Sequence, residues 1–137
     1  MTRVAQLALV FAGGALGGAT RIGVMEAFPS TAGPVPWDLL AVNALGALAL
    51  GFVVARTQAR GPWRAFPAIG PGFLGGFTTF SAFAALHWST SAGPSLALAV
   101  LVATIATGIA AAALGWWAGD RPPTPVDEHA IFVEENE

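Results

Sequence analysis

Four long apolar stretches, separated by short polar or proline-rich joints, constrain this sequence more than any other feature. Each has about the ~17 to 25 residues that a helix needs to cross the hydrocarbon core of a bilayer. With 55% hydrophobic and only 10% charged residues, the chain has too few polar groups for an ordinary water-exposed surface. The sequence therefore predicts an all-α membrane protein of four transmembrane helices. The stretches run from Val4 to Met25, Leu39 to Ala55, Ala65 to Leu86 and Ser95 to Ala118.

The composition changes after the last stretch. Residues 1–118 form the predicted four-helix transmembrane domain, and residues 119–137 form a polar tail with three prolines and most of the acidic residues. Such a segment has too little apolar surface to offset the entropy of ordering it. We expect the tail to be mostly disordered and cytosolic.

All five tryptophans fall at predicted span ends, where the indole ring suits the headgroup layer.

The arginines predict the orientation. With an even number of spans, both termini and the middle loop share one side of the membrane. The opposite side has no lysine or arginine unless Arg21 is assigned to it, so both termini are predicted to face the cytoplasm from the cell inner (plasma) membrane. The arginines on the shared side are Arg3, Arg56, Arg60, Arg64 and Arg121.

Several classes of function are disfavoured. The chain has no cysteine, which excludes disulfides and thiolate chemistry, and no basic stripe for nucleic acid. His87 and His129 lie in different predicted regions, and neither HExxH nor GxSxG occurs. We therefore predict that the chain is not an enzyme and does not bind nucleic acid.

The third stretch is irregular, because five glycines and prolines cluster in its first half and threonines follow at once. These residues weaken the helical hydrogen-bond ladder, so the sequence predicts a third helix broken near its middle, with carbonyls between Gly75 and Thr79 freed at membrane depth. Hard oxygen ligands of this kind suit a small alkali cation, Mg²⁺ or Ca²⁺. A plain kink, satisfied by the threonine hydroxyls, is the alternative.

Neutral hydrogen-bond donors and aromatic ring edges could together carry a small anion. Phe80 and Phe83 lie three residues apart on one helical face, and Ser81 lies between them. Core or lipid contact is the plainer role for phenylalanine in a span, and snorkelling to the interface is the alternative role for Arg21. The candidate anion pathway comprises Arg21, Asn43, Phe80, Ser81, Phe83 and Thr104.

Three motifs resemble the fluoride channel family known as Fluc or CrcB. They are GGALGGATR at residues 13–21, VNALG at 42–46 and GFLGGFTTFSAF at 72–83. The last is the most specific, being close to the family's G-x-x-G-G-x-T-T-F-S-T-F. The resemblance covers nearly everything before the tail.

The resemblance implies an antiparallel (dual-topology) dimer with two fluoride pathways and a structural central Na⁺ at the dimer interface. It implies that main-chain carbonyls of Gly75 and Thr78 bind Na⁺, that Phe80 and Phe83 line the pores and that Asn43 donates to fluoride. The implied function is a fluoride-selective channel subunit that exports fluoride and reduces its toxicity in the cytoplasm. The chain departs from the family pattern at Ala82, Val100 and Thr104.

The charge bias adds a hypothesis about the partner. A subunit that inserts in both directions should have nearly balanced loops, whereas this one is strongly biased. We expect it to dimerise with itself or, favoured by the bias, with an oppositely oriented paralogue.

Two alternative functions fit a membrane protein of this size. A four-helix multidrug exporter would need a carboxylate inside the membrane, but Glu26 and Asp38 both lie at span ends. A membrane scaffold would use the small-xxx-small pairs Gly13/Gly17 and Gly14/Gly18 for helix packing alone, and it would leave the irregular third stretch without a purpose.

Overall fold

The computed structural model describes residues 1–28, 35–61, 63–79 and 93–120. Regular structure in these ranges is helical, without a strand. The elements are α1 (Arg3–Ala27), α2 (Trp37–Arg60), a π-helix (Ala68–Leu74), α3 (Gly75–Phe77) and α4 (Pro94–Gly119). We refer to the π-helix and the short α3 that continues it as the third segment.

Three of the four predicted spans are confirmed as helices long and apolar enough to cross a membrane: α1, α2 and α4. The predicted third span is helical from Ala68 to Phe77, and its residues 80–86 lie outside the described residues. The predicted break needs those residues and stays a prediction. The polar tail beyond residue 120 also lies outside them.

Helix α2 is longer at its polar end than the hydropathy pattern predicts, since it continues past Ala55 to Arg60. Arginine and glutamine are good helix formers, so the helix does not stop where the apolar stretch stops. The hydroxyl of Thr57 donates to the Val53 carbonyl at 2.7 Å, and the indole N–H of Trp63 donates to the Thr57 hydroxyl at 3.0 Å. This second bond ties the following turn back onto the helix.

The tryptophans lie where the sequence predicts them. Trp37 is the first residue of α2, Trp63 follows that helix, and Trp116 and Trp117 lie in the last turn of α4. Trp88 lies outside the described residues. The described tryptophans therefore mark the ends of the apolar layer.

Helix α1 packs against the third segment through glycines. A Cβ atom added at Gly13 would overlap the carbonyl oxygen of Ala68, and one added at Gly17 would overlap that of Phe73. In return, Gly76 lies against the Gly14 carbonyl. The contacts advance from Gly13 with Ala68 to Gly17 with Phe73, so the two elements run parallel. The small-xxx-small spacing thus marks a real backbone approach.

Helices α2 and α4 form the second pair and use the same device. A Cβ atom at Gly51 would overlap the Ala112 carbonyl oxygen, and one at Gly115 would overlap that of Leu48. The Leu48 carbonyl faces Gly115 and the Phe52 carbonyl faces Gly119, so the contacts advance along both helices together and this pair is also parallel. The fold therefore interleaves two helix pairs, the first with the third element and the second with the fourth.

Large apolar side chains cover the outward faces of the helices. Phe11 is 80% exposed, Val4 76% and Ile109 67%. A surface of this kind is stable in contact with lipid and is unsuited to water. Lipid is the solvent that this exterior fits.

Candidate functional site

The third segment begins as a π-helix because of Pro71, which lies inside it. Proline has no N–H to donate to the carbonyl four residues earlier, and its ring needs space there. A widened turn with i→i+5 bonds provides that space, as in the bond from the Gly75 N–H to the Gly70 carbonyl. The irregularity predicted from the glycine and proline cluster is confirmed in this form.

The helical backbone of the third segment ends at Phe77. Thr78 is extended, with φ −78° and ψ 151°, so it turns the chain out of the helix. Its backbone N–H and its hydroxyl both donate to the Leu74 carbonyl, at 3.0 and 3.1 Å. The threonine hydroxyl therefore reinforces the last helical turn, which is part of what the plain-kink alternative anticipates.

The side-chain amide of Asn43 binds the backbone of Thr79 on both sides. Its Nδ2 donates to the Thr79 carbonyl at 2.9 Å, and its Oδ1 accepts from the Thr79 N–H at 2.8 Å. Thr79 is only 9% exposed. The pair joins α2 to the end of the third segment and satisfies two backbone groups that lipid could not.

This pairing affects Gly75. In a continuing α-helix, the Thr79 N–H would donate to the Gly75 carbonyl. Here the Thr79 N–H donates to Oδ1 of Asn43 instead, at 2.8 Å. The Gly75 carbonyl thus loses its ordinary helical donor. Gly75 is also exposed in the single chain.

Gly46 holds the same junction one helical turn after Asn43. A Cβ atom added there would overlap the Thr78 methyl group and come within 3.3 Å of the Phe77 ring. Gly46 is buried. Asn43 and Gly46 therefore form one face of α2, with the amide binding Thr79 and the glycine leaving room for Thr78.

The other predicted site residues lie apart from this junction or outside the described residues. Arg21 is half-buried in α1, and the Thr104 hydroxyl donates to the Val100 carbonyl of its own helix at 2.8 Å. No hydrogen bond links either of them to Asn43 or Thr78 within the described ranges. Phe80, Ser81 and Phe83 lie outside those ranges.

Sequence reasoning identified Asn43, Gly75 and Thr78 but missed the backbone of Thr79 as the partner of Asn43. A usable signal was present. A helix that ends at membrane depth leaves backbone groups to be satisfied, and Asn43 carries the only amide side chain inside the predicted spans apart from Gln6, near the start of the first. Pairing the unsatisfied backbone groups of the third segment with the Asn43 amide would have suggested the contact.

Comparison with known proteins places the chain in a family. A family model described as "CrcB-like protein, Camphor Resistance (CrcB)" matches residues 8–116. The chain is 39% identical over 124 residues to "Fluoride-specific ion channel FluC 1" of Streptomyces coelicolor, covering 88% of this chain and 80% of that protein. It is 38% identical over 122 residues to "Fluoride-specific ion channel FluC" of Chelativorans sp., covering 81% and 93%. The chain, a multi-pass membrane protein, therefore belongs to the CrcB family.

Proposed function

We propose that this chain is a subunit of a fluoride-specific ion channel that lets fluoride leave the cytoplasm and so reduces its toxicity. Relatives that share more than a third of their residues with it over most of its length are named fluoride-specific ion channels. The observation that carries the proposal in the chain itself is the junction of Asn43 with Thr79, which ends the third segment beside a polar side chain. Ending a helix at membrane depth is costly unless the freed backbone groups have a use.

A central Na⁺ is part of the proposal, and the carbonyl oxygens at the junction are suitable ligands for it. The Gly75 carbonyl has lost its helical donor, and Thr78 is extended, so its carbonyl leaves the helix direction. Neutral carbonyl oxygens are the hard ligands that a small alkali cation takes. The described residues of the junction offer these two, and a second copy or a paralogue would supply more. Exposure of Gly75 in the single chain supports such a shared site, which would hold the dimer together.

The proposed fluoride pathway uses Asn43, Arg21, Thr104, Phe80, Ser81 and Phe83. The amide of Asn43 has two N–H protons and donates one to the Thr79 carbonyl, which leaves one for an anion. The hydroxyl proton of Thr104 is donated to Val100, so Thr104 can serve fluoride only by giving up that bond. Ring edges of Phe80 and Phe83, the Ser81 hydroxyl and the charge of Arg21 complete the proposed set.

We further propose that the subunits pair in antiparallel orientation and that this subunit has one orientation, with both termini in the cytoplasm. The chain has no cysteine of its own, so a single cysteine introduced into the tail is a clean probe. An impermeant maleimide is expected to label it only from the cytoplasmic side, because five arginines mark that side. A cysteine between Phe28 and Trp37 serves as the opposite-side control. Equal labelling of the tail from both sides would refute the single orientation.

Fluoride efflux from liposomes tests the channel. Purified protein, alone and with any co-encoded paralogue, is expected to release fluoride and not chloride, as recorded with ion-selective electrodes. Phe80→Ile is expected to lower fluoride release severalfold, and Asn43→Ala is expected to lower it roughly tenfold. Activity that needs the paralogue would support the paired-subunit proposal.

Two outcomes would favour other functions. Folded dimers without selective efflux in either preparation would count against transport and favour a membrane scaffold. Efflux of a fluorescent cation that depends on Glu26 would favour a proton-coupled exporter.

A further inference from the structure

We propose that Asn43 is a positioning residue that keeps the Gly75 carbonyl available to bind a cation. It does so by accepting a hydrogen bond from the Thr79 N–H, which would otherwise donate to that carbonyl. This role deepens the proposed function, on which it rests, and differs from donation to fluoride. It concerns the Oδ1 atom of the side chain, whereas donation to an anion concerns Nδ2. The two roles can therefore be separated by experiment.

The geometry has three linked parts. Oδ1 of Asn43 accepts from the Thr79 N–H at 2.8 Å, which removes the donor that an α-helix would give to Gly75. Nδ2 donates to the Thr79 carbonyl at 2.9 Å, so the peptide groups before and after the Thr79 Cα are both held and do not rotate back into the helix. Thr78, just before it, has ψ 151°, the extended value that this arrangement needs.

The residue type follows from this task. A carboxamide carries an acceptor oxygen and a donor nitrogen on the same carbon, which matches the N–H and C=O of one backbone residue. Serine or threonine could reach only one of the two groups. In lipid, the group left over would have no water to bind, so the helix would tend to regain its bond to Gly75.

The Thr79 amide can be observed directly, because Thr78–Thr79 is the only Thr-Thr pair in the chain. Protein labelled with [¹³C′]- and [¹⁵N]-threonine gives one carbonyl-correlated amide signal, that of Thr79. We expect Asn43→Ala to move this signal and Asn43→Asp, which keeps an acceptor oxygen, to leave it hydrogen-bonded. Gln58→Ala removes an exposed amide from the same helix and is the matched control.

A rescue separates positioning from fluoride donation. Thr79→Pro removes the N–H itself, and the residue before a proline prefers the extended conformation that Thr78 already has. Asn43→Ala should lower fluoride efflux roughly tenfold, the size expected for one buried backbone group left unpaired. Adding Thr79→Pro should restore most of that loss, whereas adding Thr79→Ala, which keeps the N–H, should not.

Each arm can overturn the proposal. A Thr79 signal that moves no more in Asn43→Ala than in Gln58→Ala would mean that the amide does not hold this N–H. Rescue by Thr79→Ala as complete as by Thr79→Pro, or by neither, would leave Asn43 as a donor to fluoride or a packing residue. If the wild-type protein carries no fluoride, the proposed function fails, and the amide signal still decides whether Asn43 positions Thr79.

Discussion

Replacing Gly17 with valine is expected to leave little folded protein. A Cβ atom at this position would overlap the carbonyl oxygen of Phe73, which is main chain and cannot swing aside. Valine adds two methyl groups to that overlap, so α1 must separate from the third segment. Overpacking typically costs about 1 to 3 kcal/mol when side chains can adjust, and a backbone clash should cost more. Monodisperse recovery in detergent and resistance to unfolding measure the loss.

Gly23→Val is the matched control. Gly23 lies on the same helix, and nothing lies within 4 Å of where its Cβ atom would be. The change in helix propensity is the same, so the comparison isolates the contact with Phe73. If Gly17→Val folded as well as Gly23→Val, the close approach of α1 to the third segment would be wrong.

Replacing Gly46 with alanine is expected to lower fluoride efflux about thirtyfold, as a displacement worth about 2 kcal/mol would. The new Cβ atom would overlap the methyl group of Thr78. Thr78 cannot simply rotate, since its hydroxyl is bound to the Leu74 carbonyl. The junction at which the third segment ends must therefore shift, while the α2–α4 pair, on other glycines, remains. Efflux and recovery of folded protein, measured together, separate the two effects.

The double variant Gly46→Ala/Thr78→Ser tests the cause. Serine lacks the methyl group that the alanine would meet and keeps the hydroxyl that binds Leu74. Efflux should return to within a few-fold of the level of Thr78→Ser alone. A double variant as impaired as Gly46→Ala would show that the clash lies elsewhere, for example at the Phe77 ring.

Apolar length and small-residue spacing predicted much of this fold. The ends of α1 and α4 lie within two residues of the hydropathy boundaries, because lipid solvation and helix formation stop together there. The far end of α2 was missed, since its arginines and Gln58 continue the helix beyond the apolar layer. Glycine spacing predicted that α1 comes close to another helix. It could not say which one, because a thin face fits any neighbour that is equally thin.

The candidate site, like the fold, was predicted from the sequence only in part. Residue type drew attention to Asn43 and to the carbonyls between Gly75 and Thr79, since an amide and a glycine-threonine helix break are unusual at membrane depth, and the family resemblance singled out Gly75 and Thr78. What Asn43 binds depends on how α2 lies against the third segment, which is a tertiary fact. The sequence therefore predicted an amide that donates to an anion, and the structure adds that one of its protons and its oxygen are engaged by Thr79.

The interleaving of the two helix pairs has a consequence for how the chain enters the membrane during synthesis. Each early helix has its partner two elements later, so neither pair can close until the second half of the chain has left the ribosome. During that interval α2 carries the Asn43 amide into the membrane before Thr79, its hydrogen-bond partner, has been synthesised. Biogenesis of this protein should therefore depend on whatever shelters α2 in the meantime, whether the insertion machinery or a neighbouring subunit. Slowing translation after α2 should expose that dependence.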